Sequence, residues 1–172
     1  MTLDYLAYKI IKRDEKAFAE LYERTRQIVY SICLSVVKNR EVAEELTQET
    51  FVAVWTHIDE FRGKGLKLWV LTIAKHKAFN ELRKRKREIT VDFFEDEALG
   101  GKYVIDAQVE MGIVISLALE KLDLTDRQIV LMKNSGLKTK EIAVFLEMPR
   151  GTVSWRYAEA LKILRKYLEV KE

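Results

Sequence analysis

Apolar residues recur at helical spacing along most of this chain, and no alternating pattern marks a strand. From Asp14 onward, Ala17, Phe18, Leu21, Tyr22, Ile28, Val29, Ile32, Cys33 and Val36 form one stripe, with Asp14 placed to cap its first turn. Asn39-Arg40 breaks the pattern. The next helix fits Glu41 to about Ile58, with Ala43, Leu46, Val54 and Ile58 inward. Phe61-Arg62-Gly63-Lys64-Gly65 reads as a loop, because two glycines within three residues seldom sit inside a helix. A third helix runs from about Lys67 to Arg87, with Leu68, Val70, Leu71, Ile73, Ala74, Ala78 and Leu82 as its apolar face. Three such stripes bury one another only as a helical bundle.

Periodicity then lapses. Glu88 to Glu110 scatters seven acids around Gly100-Gly101 and reads as a linker. A second helical domain starts near Met111. Thr125-Asp126-Arg127-Gln128 matches a capping box, and Gly136 stands where that helix should stop. Thr139 begins a short helix through Leu146, Glu147-Met148-Pro149 turns the chain, and Pro149 or Arg150 opens a last helix to about Leu168. The expected fold is all-α: a bundle over 1–88, an acidic linker over 89–110 and a second small helical domain over 111–172.

Charge changes the picture. The net +3 of the 172 residues is a sum of blocks: +3 over 1–40, −6 over 41–60, +9 over 61–87, −6 over 88–110 and +3 thereafter. Ten lysines and arginines face the single acid Glu81 between Arg62 and Arg87. A cationic surface flanked by anionic ones suits a protein that holds a polyanion at one face and a different partner at another.

Composition excludes other chemistry. One cysteine, Cys33 in an apolar stripe, makes no disulfide, and with His57 and His76 far apart in sequence it makes no zinc site. Gly63-Lys64-Gly65 lacks the spacing and the hydroxyl of a phosphate-binding loop, and no nucleophile–base pair appears. No cofactor, metal or catalysis is expected. Met1-Thr2-Leu3-Asp4 has no secretion-signal pattern, and no apolar run approaches the ~20 residues that span a bilayer, so the expected location is cytoplasmic, without membrane insertion.

The second domain carries a motif. A short helix, a three-residue turn and a longer helix over Thr139–Leu168 form the helix-turn-helix arrangement. Ala143 is small where the helices cross, and Ile142 and Val153 are apolar where they pack. The outer face of the last helix offers Arg150, Thr152, Ser154, Trp155 and Arg156, near the end that reaches base edges in a major groove.

Ala43-Glu44-Glu45-Leu46-Thr47-Gln48-Glu49-Thr50-Phe51-Val52-Ala53-Val54-Trp55 closely resembles the region two helix of extracytoplasmic-function (ECF) sigma factors, the small bacterial initiation subunits of RNA polymerase. Trp69-Val70-Leu71-Thr72-Ile73-Ala74 and the basic run through Arg83-Lys84-Arg85 resemble their promoter-melting segment. Gly151-Thr152-Val153 with Arg156, and Ala160 through Leu164-Arg165, resemble their region four helix. The three blocks stand in the family's order across nearly the whole chain.

The resemblance implies partners and roles. Glu45, Gln48, Glu49, Phe51 and Trp55 would dock on the polymerase core, unless Phe51 and Trp55 are simply core residues. Arg62, Lys64, Lys67, Lys75, His76, Asn80 and Arg83 would hold the −10 strand and a flipped base. Arg150, Thr152, Ser154, Trp155 and Arg156 would meet the −35 element, Arg156 foremost, with Trp155 packing either on DNA or within its own domain. Trp69 reads as an anchor beneath the loop. Promoter DNA, core polymerase and an anti-sigma protein are the implied partners. His76 stands where the family most often has asparagine, Asn80 where it often has aspartate and Glu147 where it has a turn glycine. The residues alone also fit a one-component helix-turn-helix repressor or activator with a sensing N-terminal bundle, which would need dimers and a palindromic site.

Overall fold

Helices in this protein begin where a side chain can take an amide that the helix itself leaves without a partner. In the computed structural model, which describes residues 2–89, 115 and 117–169, the chain divides into two units, Met1–Leu99 and Gly100–Glu172. Thr2 caps α1 (Leu3–Ile11), accepting the Tyr5 amide at 3.4 Å. Asp14 caps α2 (Glu15–Val37) through the Ala17 amide at 3.1 Å. Asn39 caps α3 (Arg40–His57) through the Val42 amide at 3.0 Å. A 3-10 turn, Ile58–Glu60, leads to the loop before α4 (Leu66–Ile89).

In the first unit α2 packs on both α3 and α4, while α1 lies against α2, α4 and the 3-10 turn. Leu6, Ile10, Leu21, Ile32, Ile58, Leu66 and Leu71 are fully buried there. Each such side chain contributes about 1.5–3 kcal/mol by leaving water. The α4 stripe is narrower than the sequence implied: Val70, Leu71, Ala74 and Ala78 are buried, but Leu68, Ile73 and Leu82 only half so.

Three buried threonines satisfy themselves within their own helices. Thr25, Thr47 and Thr50 donate to the carbonyls of Leu21, Ala43 and Leu46 at 2.6, 2.7 and 2.6 Å. That back-bonding lets a polar residue face the bundle core without an orphaned hydroxyl. Cys33 is a core residue as expected, and burial pushes its thiol up to about 12.

In the second unit α5 (Leu124–Asn134), α6 (Thr139–Leu146) and α7 (Arg150–Glu169) enclose Ile129, Met132, Ile142 and Val153. The expected α5 cap is corrected. The helix opens two residues earlier, on Asp123, whose carboxylate takes the Asp126 amide at 2.8 Å, and Thr125 falls inside the first turn. Gly136 sits just beyond α5 with φ +87°, where glycine carries no steric cost. Glu141 reaches back to the Lys138 amide at 2.7 Å to start α6. Ala143, Ile142 and Val153 are all buried, so the small residue and its apolar neighbours stand where α6 and α7 pack. Glu147 ends α6 in the left-handed region, φ 55° and ψ 45°. A non-glycine residue pays about 1–2 kcal/mol for that conformation. Among the described residues there is no strand, so the all-α fold of two helical modules stands. The linker expected over 89–110 lies, from residue 90 on, outside the described residues, as does the start of the second domain near Met111.

Candidate functional site

The two long faces of α3 have different fates. Val42, Ala43, Leu46, Thr47, Thr50, Phe51 and Val54 turn inward, which leaves Glu41, Glu44, Glu45, Gln48, Glu49 and Val52 exposed. Glu45, Gln48, Glu49, Val52, Ala53, Thr56, His57 and Lys77 line a shallow open groove of about 580 Å³. Val52 is 65% exposed in the middle of these acids. An exposed valine side chain beside carboxylates is the composition of an interface centre with a polar rim. Sequence reading passed over Val52, although its spacing of seven from Glu45 and three from Glu49 put it on that stripe.

Phe51 is corrected. It is 3% exposed, and its ring meets Tyr22 at 4.7 Å and Phe18 at 6.4 Å, so it builds the α2–α3 contact and presents no docking surface within this unit. Trp55 is half-buried and shared: Phe18 packs on its ring at 5.0 Å, the Arg13 guanidinium lies 5.4 Å from its centroid, and Arg13 donates to its carbonyl at 2.5 Å. Edge-to-face rings and a cation over the indole hold this corner firmly.

The cationic surface begins in the loop after the 3-10 turn. Arg62 bends back to donate to the Asp59 and Phe61 carbonyls, whereas Lys64 is exposed. Gly63 and Gly65 hold φ values of +91° and +90°, which only glycine adopts without strain. Trp69 stacks tilted against Phe61 at 5.6 Å, the anchoring role expected for it. Along α4, His76, Asn80 and Arg83 are exposed on one face, at steps of four and three, while Lys67 and Lys75 are half-buried. Lys77 faces the opposite partner, pairing with Glu49 of α3 at 3.2 Å. The acidic and basic surfaces are thus neighbours on one module, joined at an exposed ion pair worth about 0–1 kcal/mol.

On α7, Arg150, Thr152, Ser154 and Trp155 are exposed, Trp155 to 63%. Arg156 is engaged within its own unit. Its guanidinium fork grips Asp126 and Asp123, both at 2.7 Å, tying α7 to the start of α5. Burial alone would raise the Asp123 carboxyl, but the Asp126 amide and the Arg156 guanidinium outweigh it and hold it below the usual carboxylate range. Arg156→Ala removes two charge-assisted bonds and strands the part-buried Asp126 carboxylate, at a cost of about 2 kcal/mol. Thermal unfolding should then show the second unit melting roughly 10 °C lower. The Asp123 share of this stability is complete above the unfolded carboxylate value of ~3.9 and drains away as pH falls through the lower folded value. A variant that melts like the parent yet loses −35 binding would return Arg156 to the DNA.

The Sigma-70 region 2 family model matches residues 21–88, and the Sigma-70 region 4 model matches residues 113–164. The ECF RNA polymerase sigma factor SigK of Mycobacterium bovis is 30% identical over 181 residues, spanning 98% of this chain and 94% of the relative. The chain belongs to the ECF sigma factors. It directs transcription initiation with RNA polymerase, and its family is one of transcription regulators rather than classical enzymes. The fold agrees. The sigma factor RpoE of Bartonella quintana, in complex with the anti-sigma factor NepR, superposes with a TM-score of 0.71 at 24% identity, over 91% of this chain and 99% of that one. CnrH in complex with the cytosolic domain of CnrY gives 0.66 at 20% identity, over 98% and 97%.

The region 2 match takes in the α3 stripe, the loop and the basic face of α4; the region 4 match takes in the helix-turn-helix. Among the described residues no cluster of His, Cys, Asp or Glu could hold a metal, and no helix is long and apolar enough to cross a membrane.

Proposed function

We propose a division of labour within this sigma factor. The exposed stripe Glu45, Gln48, Glu49 and Val52 docks on core polymerase, with Trp55 at its edge. The loop at Arg62–Gly65 and the α4 face with Lys67, Lys75, His76, Asn80 and Arg83 hold the opened −10 strand. The exposed start of α7, with Arg150, Thr152, Ser154 and Trp155, meets the −35 element. The domains are then 1–88 for docking and opening, 89–110 as an acidic connector and 111–172 for −35 contact, in a chain that works in the cytoplasm.

One observation carries this reading: acids surround an exposed valine on α3, and cations line the adjoining loop and α4 of the same module. The first surface suits a protein partner that is basic and partly apolar, the second a nucleic-acid strand. Because a sigma factor that shares this fold is held by an anti-sigma factor, an anti-sigma protein covering these faces is part of the proposal. Photo-crosslinkers placed at Val52 and at Asn80 test it within a promoter complex. Val52 should label a polymerase subunit and Asn80 the −10 DNA. Labelling of one partner by both positions would refute the division.

A further inference from the structure

The carboxylate of Asp4 does something no neighbour in sequence could do. One of its oxygens accepts the Gly65 amide at 2.9 Å and the Leu66 amide at 2.8 Å, across separations of 61 and 62 residues. Gly65 is the residue just before α4, and its carbonyl takes the first helical bond, from the Trp69 amide at 3.0 Å. That residue would ordinarily supply a capping oxygen, but glycine has none, and its φ of +90° disfavours a residue that does. Asp4 therefore supplies the cap from another helix, and its negative charge lies at the positive end of the α4 dipole.

The loop so held is short and pinned from both sides. At its start, Phe61 is nearly buried and stacks on Trp69, and Arg62 folds onto the Asp59 and Phe61 carbonyls. At its end, Leu66 is fully buried and Asp4 fixes the two amides. Only residues 62–65 span the gap, with Lys64 exposed at the centre. Asp4 in turn is set by α1, whose Leu6, Ala7 and Ile10 are buried in the bundle and whose first turn is capped by Thr2. The carboxylate also fills the amide pair that a DNA phosphate would seek at a helix N-terminus, so strand contact falls to the side chains of the loop and of α4.

We infer that Asp4 is a positioning residue for −10 recognition: a cap delivered in trans that fixes the Arg62–Gly65 loop and the first turn of α4 in the form that receives the promoter strand. This inference rests on the −10 role proposed for that loop. It also gives α1, which lies before the matched region 2 segment, a part in promoter opening without touching DNA.

The full-length chain, assembled with core polymerase, allows a test in two readouts: affinity for core, and −10 opening followed by 2-aminopurine fluorescence. Asp4→Ala should lower the opening equilibrium about fivefold, within the range of a lost N-cap, and flatten the preference among −10 base substitutions. Core affinity should stay within about twofold. Asp4→Asn, which keeps an accepting oxygen, should recover most of the opening. An Asp4→Ala chain that loses core affinity and opening in equal measure would make Asp4 a general stabiliser and overturn the inference. So would unchanged opening. Lys64→Gln and Asn80→Ala run alongside: if they lower opening while Asp4→Ala does not, only the role of Asp4 fails, and if neither does, the −10 reading fails with it.

Discussion

Reversing Glu45 and Glu49 together to lysine lowers affinity for core polymerase by at least about 100-fold, because like charges set against a basic partner cost several kcal/mol. The fold should survive the change. Both side chains are exposed, and the ion pair lost among the described residues, Glu49 with Lys77, is a 3.2 Å pair with Glu49 60% exposed. Circular dichroism and a melting curve close to the parent's would confirm that. Fluorescence anisotropy with labelled chain and unlabelled core measures the loss, and raising salt should weaken the parent more than the variant. Binding within a factor of a few of the parent would place the docking surface elsewhere.

The second large effect concerns salt. Lys64→Gln with Arg83→Gln removes two exposed cations, one from the loop and one from α4. Each phosphate contact contributes ~0.7–0.9 to the slope of log affinity against log salt, so the double variant should lose ~1.5 from that slope. Counterion release alone then gives a weakening of roughly 100-fold at 50 mM salt, shrinking to roughly tenfold at 200 mM. Holoenzyme titrated onto a forked −10 template at four salt concentrations yields both numbers. A uniform loss with an unchanged slope would mean that these side chains do not meet phosphates.

Local signals made most of the fold legible. Asp14 marks a helix start because a capping side chain acts within three residues of itself, and that cap forms as the sequence implied; the break at Asn39-Arg40 proves to be a second cap, on Asn39. The two-glycine loop was equally plain, since positive φ at Gly63 and Gly65 has few other solutions. α1 was harder to see. Its inward residues Leu3, Leu6, Ala7 and Ile10 keep helical spacing, but Tyr5, Tyr8 and Ile11, 48%, 57% and 42% exposed, add apolar residues to the outer face and mask that stripe.

The site was legible as surfaces and less so as single residues. A stripe read from spacing cannot say which aromatic at its border turns inward. Phe51 did, because Tyr22 and Phe18 on α2 meet it, and Val52 beside it stayed out. Arg156 stands on the recognition helix in sequence, but Asp126 and Asp123, 30 and 33 residues away, claim its guanidinium. Asp4 could not have been found either, since the amides it caps lie about sixty residues downstream. In each case the deciding partner is distant in sequence and close in space.

The separation of the two surfaces is tested most directly by scoring both variants in both assays. With core polymerase in excess, the Glu45/Glu49 reversal should bind core poorly yet open the −10 region as well as the parent once bound. The Lys64/Arg83 variant should bind core normally and open poorly. If both variants instead lose docking and opening in the same proportion, the acidic and basic faces are not separate functional surfaces and the account is wrong.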